Sequence, residues 1–305
     1  MDEPRTLSPE SIDAGFRERG FVTTGDVATT LFLSEALGKP VLLEGPAGVG
    51  KTEIGKLWAE FHGAELVRLQ CYEGLDESKA LYEWSYGKQM LYAQLLREKT
   101  AELLSDAPDL ASAVRSLRGQ ADEFFSEAFL LARPLLRAIR GGRAAMLLID
   151  EVDRADEEFE AFLLEILSDG QVSIPEIGTL RAPVPPRVVL TSNDTRELSD
   201  ALRRRCLYLH VDYPSADEEL AIVESRVPDV SSRLREQLVG FVQSLRRSAL
   251  RKQPGIAETV DWARSLVAVG ASTLTDDALR RTLGALLKNR EDLERVRADV
   301  ARHRT

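Results

Sequence analysis

Glycines at a defined spacing, followed by lysine and threonine, are the residues most able to do chemistry in this sequence. Residues 41–52 read VLLEGPAGVGKT, an apolar run that leads into the pattern G-x-x-x-x-G-K-[ST]. Glycines let the backbone curl around a polyphosphate with its N–H groups pointing inward. In such a cradle a lysine reaches the β- and γ-phosphates and a threonine hydroxyl binds Mg²⁺. We therefore predict a nucleotide site at Gly45, Pro46, Ala47, Gly48, Val49, Gly50, Lys51 and Thr52.

Two adjacent carboxylates end a second apolar run, AAMLLIDE at residues 144–151. Asp150 can complete the Mg²⁺ shell together with Thr52, and Glu151 can orient and deprotonate a water for attack on the γ-phosphate. The alternative, two ordinary surface acids, is disfavoured by the phosphate cradle upstream. The two motifs together predict ATP hydrolysis.

Polar and basic residues follow a third apolar run, RVVLTSND at residues 187–194. Ligands bind beyond the carboxyl ends of parallel strands, so Asn193 is the candidate to touch the attacking water or the γ-phosphate, although Ser-Asn-Asp alone is ordinary turn chemistry. Three arginines stand in LRRRC, residues 202–206. One of them could stabilise transition-state charge on a neighbouring subunit's nucleotide, and a solvated corner or an intrachain ion pair is the alternative for at least one.

The elements that position these residues alternate between short apolar runs and helical patterns up to residue 212, and only helical patterns follow. This order predicts an α/β domain with a parallel sheet covered on both faces, and then a small helical domain. The strand candidates are residues 41–43, 65–69, 145–149, 188–191 and 207–211. The later helices are predicted at residues 217–227, 231–247, 258–270, 276–287 and 290–302.

Two segments interrupt this alternation. Residues 72–143 are too long for a simple crossover, and their Leu/Ala/Glu-rich stretches predict helices at 90–104, 110–117 and 121–139. Residues 170–186 alternate apolar and polar positions among Pro and Gly, which predicts a protruding hairpin. Trp84 and Tyr86 could grip a substrate chain from a mobile loop or pack in the core.

Composition narrows the class of protein. The 305 residues suggest two domains, and the net charge of −10 argues against a surface that binds nucleic acid along its length. The first residues lack an export signal pattern and no apolar run approaches 18 residues, so we expect a cytoplasmic protein without a membrane span. Cys71 and Cys206 form no C-x-x-C pair, and they predict small apolar packing rather than a disulfide or a zinc site.

In their order along the chain and in their amino-acid sequence, these motifs resemble those of the AAA+ ATPases and, within them, the MoxR family. The resemblance covers most of residues 21–290, and it is closest to the accessory ATPase encoded alongside aerobic carbon monoxide dehydrogenase and related molybdenum hydroxylases. That closer likeness depends chiefly on QCYEGLDESKALYEW (70–84) and FEAFLLEILSD (159–169). The family likeness is carried by LLEGPAGVGKT (42–52), RLQCYEGLD (68–76), LLIDEVDRADEEFEAFLLEIL (147–167), QVSIPEIGTLRA (171–182) and LTSNDTRELSDALRRRCLYLHVDYP (190–214).

The resemblance implies a role for each motif residue. Lys51 and Thr52 match the Walker A lysine and hydroxyl, and Asp150 and Glu151 match the Walker B pair. Asn193 matches the sensor-1 position. Arg205 matches the arginine finger that acts on the adjacent subunit of a ring that is usually hexameric, with Arg204 as the second choice. The implied ligands are ATP and Mg²⁺.

The resemblance also implies a domain plan and shows one departure from it. The plan has an N-terminal extension (1–20), an AAA+ α/β domain (21–213) with a helical insert at about 86–143 and a hairpin at about 170–186, and a helical lid (214–305). The family often opens its third lid helix with a sensor-2 arginine, but this chain has Ala257 or Glu258 near that place. Arg264, two turns later, could substitute only if the helix axis points towards the nucleotide.

The function that the resemblance implies is a ring-forming, chaperone-like ATPase that remodels a client protein. The implied client is an apo-metalloenzyme of the molybdenum hydroxylase type, opened for cofactor assembly with a von Willebrand factor A-domain partner. Three alternatives stay open: a nucleotide-gated binding module with little turnover, a MoxR-type ATPase that activates a different enzyme, and a DNA-linked AAA+ protein. The net charge disfavours the last of these.

Overall fold

A five-stranded parallel sheet is the centre of the computed structural model, which describes residues 7–95, 125–175 and 177–302. Its strands lie in the order β2–β5–β8–β1–β9. The bounds are β1 (Val41–Glu44), β2 (Glu65–Gln70), β5 (Ala145–Asp150), β8 (Arg187–Ser192) and β9 (Leu207–His210). All four pairings are parallel, and β1 lies between β8 and β9. The five predicted strands are therefore confirmed, with no end differing by more than one residue.

Helices cover both faces of this sheet. The helices of this part of the chain are α1 (Pro9–Glu18), α2 (Gly25–Leu37), α3 (Lys51–His62), α4 (Glu77–Ala80), α5 (Tyr86–Leu95), α6 (Pro134–Gly141), α7 (Glu157–Asp169) and α8 (Asp200–Arg205). One apolar cluster joins α1, α2 and α3 to the sheet, and a second joins α6 and α7 to the opposite face. This two-sided cover explains why β1 and β5 are buried at every position.

The N-terminal segment is part of this core. We expected residues 1–20 to be an extension, but α1 places Ile12 and Phe16, both fully buried, against Trp58 and its neighbours. Ser8 caps α1, and Pro9 stands at its first position, where its missing N–H costs nothing. From residue 9 onward the segment is therefore a layer of the α/β domain.

The first interruption contains strands that the sequence analysis did not predict. β3 (Tyr82–Trp84) and β4 (Leu130–Ala132) pair antiparallel. The predicted helix at 121–139 is wrong over residues 127–132, which form a 3-10 turn and β4, because the apolar side chains of Phe129 and Leu130 turn into the core before Pro134 begins α6. The helix predicted at 90–104 starts earlier, at Tyr86, and residues 96–124, with the predicted helix 110–117, lie outside the described residues.

The second interruption is a hairpin, as its alternation predicts. β6 (Gln171–Ile174) pairs antiparallel with β7 (Gly178–Arg181). The expectation that it protrudes is wrong at its base, because Val172 and Ile174 are buried in the cluster that contains α7. The hairpin therefore lies against the sheet domain.

Five helices with their own apolar core follow the last strand. They are α9 (Ala216–Arg226), α10 (Ser232–Arg246), α11 (Ile256–Ala268), α12 (Asp276–Leu286) and α13 (Arg290–Arg302). Trp262, fully buried, lies within this core, and its indole N–H donates to the Thr282 hydroxyl at 2.8 Å. Across the described parts of the chain, no helix combines the length and apolarity needed to cross a membrane.

Candidate nucleotide site

A cleft of about 690 Å³ lies between the carboxyl edge of the sheet and the helices that follow it. Three parts of the chain line it: the phosphate cradle with the strand ends Asp150, Glu151, Thr191 and Asn193; the segment from Gly20 to Val27; and residues between His210 and Arg264, which include the C-terminal helices. Most of the predicted site residues therefore lie around one cleft.

Glycine backbone geometry shapes the phosphate cradle. Gly45, Gly48 and Gly50 have φ angles of 152°, 84° and 102°, which L side chains rarely adopt. A Cβ on Gly45 would lie 2.0 Å from the carbonyl oxygen of Val211. The Gly45 N–H donates to the Ser192 carbonyl at 3.2 Å, so the cradle is fixed between β8 and the residue after β9.

Lys51 lies inside the cradle. Its ammonium Nζ donates to the carbonyl oxygens of Gly45 and Pro46, each at 2.7 Å, and the residue is 5% exposed. Burial lowers the pKa of Lys51, although the nearby carboxylates of Asp153 and Asp150 act in the opposite direction. The lysine is thus a positive charge held at the turn where phosphate oxygens are predicted.

Asp150, which ends β5, accepts hydrogen bonds from three side chains at the carboxyl edge of the sheet, and we call this group the Asp150 hub. Its Oδ1 accepts from the Thr52 hydroxyl at 2.9 Å and from the Thr191 hydroxyl at 2.5 Å, and its Oδ2 accepts from Arg68 Nη2 at 2.5 Å. Arg68 was missed as a member of the site, and Thr191, although it stands at the end of the third apolar run, was passed over in favour of Asn193. Arg68 could have been predicted from the pairing of its strand, β2, with β5, because neighbouring parallel strands end at the same edge of the sheet.

The same oxygens fit a magnesium ion. Thr52 and Asp150 offer adjacent hard oxygen ligands, and Mg²⁺ in nucleotide sites is typically held by one or two such groups together with phosphate oxygens and waters. The described residues contain no group of three or more His, Cys, Asp or Glu that could hold a metal on its own. Thr52 and Asp150 would therefore hold Mg²⁺ only together with a phosphate, and the ion would neutralise phosphate charge there.

Glu151 has a strained backbone at the end of β5. Its φ and ψ are 55° and 50°, the left-handed region, and its N–H donates to Thr191 Oγ1 at 2.9 Å. Its carboxylate pairs with Arg154 at 2.8 Å. The strand end therefore aims Glu151 at the cleft rim, and Thr191 holds both members of the acidic pair.

Asn193 also lines the cleft, and the loop behind it is built around a second buried acid. Asp153 accepts from the N–H groups of Asn193 and Thr195 at 3.2 and 3.0 Å, and from the Thr195 hydroxyl at 2.5 Å. Burial raises the pKa of Asp153, but these hydrogen bonds outweigh it and the net pKa is lowered. Asp153, absent from the predicted site, therefore positions Asn193.

The three arginines of the basic corner have three different surroundings. Arg203 donates to both carboxylate oxygens of Glu44, at 3.2 and 3.0 Å, and Tyr208 donates to the same carboxylate at 3.0 Å. Arg204 is exposed and lies 3.7 Å from Asp200, and Arg205 is exposed and donates to the Ser168 hydroxyl. Arg203 is thus the intrachain ion pair, and Glu44 is its partner, while Arg204 and Arg205 can reach outward.

Where the C-terminal helices line the cleft, residues 255–258 contain no arginine, but two arginines of the described residues lie there at other positions. Arg226, at the end of α9, and Arg264, in the third turn of α11, both line the cleft. Arg264 lies 3.5 Å from Asp261. Since α11 begins beside Gly48 and rises about 1.5 Å per residue, Arg264 stands about 12 Å along the helix from the phosphate cradle.

Other residues singled out from the sequence have structural settings. Trp84 is 8% exposed and belongs to the core, whereas Tyr86 is 67% exposed on α5. Cys71 and Cys206 are buried free thiols, and burial raises the pKa of each to about 12. A thiol that stays protonated is a poor nucleophile and a poor metal ligand, so sulfur or metal handling by Cys71 has no support here.

Comparison with known proteins finds relatives of low sequence identity and one matching family. Two uncharacterized Staphylococcus aureus proteins, from strains bovine RF122 / ET3-1 and USA300, are each 25% identical to this chain over 237 residues, 76% of either chain. The Thermotoga maritima RuvB Holliday junction branch migration motor matches with a TM-score of 0.46 and 18% identity, covering 88% of this chain and 69% of its own. A RuvB mutant of that organism gives 0.48 and 17%, with coverage of 92% and 70%.

The family comparison covers the site. The family described as AAA domain (dynein-related subfamily), AAA_5, matches residues 40–206, more than half of the 305 residues. This range includes the cradle, the acidic pair, Asn193 and all three corner arginines. The strand order of the protein's central sheet, with the cradle strand β1 between β8 and β9, is that of an AAA+ P-loop fold. A helical C-terminal region follows the sheet, as in that fold. The chain therefore belongs to the dynein-related AAA domain family.

Proposed function

We propose that this protein hydrolyses ATP with Mg²⁺, using Lys51, Thr52 and Asp150 to hold the triphosphate and Glu151 to activate water. The observation that carries this proposal is the Asp150 hub, where hydroxyls from the cradle helix and from β8 meet one buried carboxylate beside Glu151. Such pre-set donors and acceptors are what phosphoryl transfer needs, since its catalysis is mostly positioning and electrostatics.

Steady-state phosphate release tests the proposal with matched pairs of variants. Lys51→Ala should weaken ATP binding by about 100-fold, because a charge-assisted contact is lost, whereas Lys56→Ala on the exposed side of α3 should not. Glu151→Gln should keep ATP binding and lower kcat by about 10²- to 10⁴-fold. Glu158→Gln, an exposed acid on α7, is its control. Turnover by Glu151→Gln at the wild-type rate would refute the catalytic role of Glu151.

We also propose the finer assignment that the resemblance suggested. The protein would act in the cytoplasm as a MoxR-type ring, which is usually hexameric in that family. In each subunit, residues 21–213, with residues 9–20 packed on them, and residues 214–305 would be two domains that move on each other. Its client would be an apo-metalloenzyme of the molybdenum hydroxylase type, such as carbon monoxide dehydrogenase, with a von Willebrand factor A-domain partner. Support for the ring comes from Arg204 and Arg205, which are exposed at the corner where an adjacent subunit could be reached.

A trapped complex tests the client. Glu151→Gln loaded with ATP, tagged and recovered from its native host, should bring down a molybdenum hydroxylase subunit and an A-domain protein. Lys51→Ala is the control, because it should not form the ATP state. Recovery of other clients with the trap would leave the ATPase proposal standing and refute this client.

One observation favours a second candidate, a nucleotide-gated module with little turnover. The Glu151 carboxylate is paired with Arg154 at 2.8 Å, and it must leave that partner before it can orient a water. Arg154→Ala separates the two candidates. An increase in kcat would show that the pair restrains a competent ATPase, whereas negligible phosphate release by both wild type and Arg154→Ala, with tight ATP binding, would favour the switch.

A further inference from the structure

The phosphate cradle and the lid meet through two glycines. A Cβ on Gly255 would lie 2.8 Å from both Cα and O of Gly48, and 2.9 Å from Glu258 Oε2. The N–H of Ile256, the first residue of α11, donates to the Gly48 carbonyl at 2.9 Å. The two main chains are thus in contact, with no room for a side chain at residue 255.

A buried polar cluster attaches the Gly255 turn to the lid. Glu219, fully buried, accepts from Arg246 Nη1 and Nη2 at 2.8 and 2.7 Å and from Gln243 at 2.8 Å. The Thr259 hydroxyl lies 2.8 Å from Glu219 Oε1 and 3.1 Å from the Gly255 carbonyl, and Arg246 Nε donates to the Pro254 carbonyl at 2.9 Å. Because a buried charge is costly without its partners, this cluster holds the turn in one geometry.

The same cluster reaches the connection between sheet and lid. Gln243 donates to the Pro214 carbonyl at 3.1 Å, and the Arg246 guanidinium lies 4.6 Å from the centroid of the Tyr213 ring. Tyr213 and Pro214 line the cleft. A displacement of Gly48 would therefore be transmitted to the lid helices and to the connecting residues together.

We propose that Gly255 is a positioning residue, and that the lid responds to the phosphate cradle through the main-chain contact of Gly48 with Gly255 and Ile256. The Glu219–Arg246 cluster transmits this response, so an arginine at the start of α11 is not required for coupling. The inference rests on the proposed ATPase function. It assigns the coupling to backbone atoms, because phosphate binding acts on the N–H groups of the same turn that carries the Gly48 carbonyl.

Gly255→Ala tests the contact, and Gly284→Ala is the matched control, since a Cβ at residue 284 on α12 meets nothing within 4 Å. Lid movement is measured by energy transfer between dyes at Glu60→Cys and Arg281→Cys, both exposed positions, while the native thiols are buried. ATP affinity, kcat and KM are measured on the same proteins.

In Gly255→Ala we expect the ATP-dependent change in transfer to fall by about half or more and kcat to fall about tenfold, with the ATP Kd within about threefold of wild type. Gly284→Ala should match wild type. A full transfer change and wild-type kcat in Gly255→Ala would overturn the inference. Should Gly255→Ala not fold, Thr259→Val takes its place, because it disconnects the turn from Glu219 with little change of shape. It should likewise lower the transfer change and kcat while leaving the ATP Kd nearly unchanged.

Failure of this inference differs from failure of the ATPase proposal. If wild type releases no phosphate, the ATPase proposal fails, but the transfer change on ATP binding still measures the contact. In that case an equal transfer change in wild type and Gly255→Ala would refute the contact as the coupling route.

Discussion

At the scale of single residues, one hydroxyl organises the acidic pair. Thr191 donates to Asp150 and accepts the Glu151 N–H, so it connects the proposed metal ligand to the proposed base. The residue is 1% exposed. A motif search centred on charged residues passes over it, because a threonine in a buried strand is ordinary β-sheet composition.

Thr191→Val should keep the shape of the site and remove both hydrogen bonds. We expect a loss of stability of about 1–3 kcal/mol, since Asp150 and the Glu151 N–H each lose a partner, and a fall in kcat of about 10- to 100-fold at nearly unchanged ATP affinity. Thr179→Val on the exposed hairpin strand is the control. Unchanged kcat in Thr191→Val would show that Glu151 is positioned by other contacts. Urea midpoints and phosphate release measure the two effects.

His62 should make stability depend on pH. Burial, reinforced by Arg187 and Arg143 and opposed by Glu35, lowers the pKa of His62 to about 4, and its Nε2 is buried without a hydrogen-bond partner. The unfolded chain binds this proton at about pH 6.5, so acidification between about pH 6.5 and 4 favours unfolding. The stability contribution is present above pH 6.5 and is lost as pH falls towards 4.

His62→Phe should flatten this dependence, because it removes the titrating group and keeps an aromatic ring beside Trp58. Urea midpoints at several pH values between 7.5 and 4.5 measure the slope. Equal slopes in wild type and His62→Phe would assign acid sensitivity to other groups.

At the scale of elements, neighbouring arginines at the corner between α8 and β9 have different roles. Arg203 holds the buried carboxylate of Glu44 at the end of β1, while Arg204 and Arg205 remain exposed. Of these three consecutive arginines, the first therefore pairs with a carboxylate of the sheet and the other two are exposed to solvent. The sequence showed the basic corner, but the division depends on helix phase and on the distant Glu44, which spacing alone does not reveal.

Arg203→Ala should destabilise the protein by about 2 kcal/mol, because it leaves the Glu44 carboxylate buried and, among the described side chains, hydrogen-bonded to Tyr208 alone. The double variant Arg203→Ala with Glu44→Gln should recover part of this loss, since the uncompensated charge is gone. Arg204→Ala should stay within about 0.5 kcal/mol of wild type. Thermal unfolding of the four proteins measures the effect, and equal losses in Arg203→Ala and Arg204→Ala would contradict the division.

The elements themselves were largely predictable. Five strands, the hairpin and the late helices follow from apolar runs and helical periodicity, which report burial directly. β3, β4 and the packing of α1 were not predictable, because each is decided by contacts with distant segments rather than by local pattern. The same applies to the site: the cradle and the acidic pair have local motifs, whereas Arg68, Thr191 and Asp153 enter through strand pairing and loop packing.

At the scale of the whole molecule, the proposed role of Arg205 as an arginine finger implies a catalytic unit larger than one chain. Arg205→Ala should lose activity, because transition-state charge on the neighbouring nucleotide loses its cation. Mixing it with Glu151→Gln should restore part of the activity, since some interfaces then combine an intact Glu151 with an intact Arg205. Phosphate release as a function of mixing ratio measures this. Arg204→Ala, tested in the same mixtures, shows which arginine acts, and absence of rescue with both would indicate a role within one chain.

The position of β1 in the sheet has a consequence for biosynthesis. β1 pairs with β8 and β9, where Val41 lies opposite Val189 and Leu207, 148 and 166 residues later, and Gly45 lies against the Val211 carbonyl. A growing polypeptide that has just emerged through residue 180 thus contains the whole G-x-x-x-x-G-K-T motif but neither strand that frames it. Pairings of such long range form late. Nascent chains should therefore become competent to bind nucleotide only near the end of translation, and a ribosome-bound series of increasing length would locate that onset after residue 211.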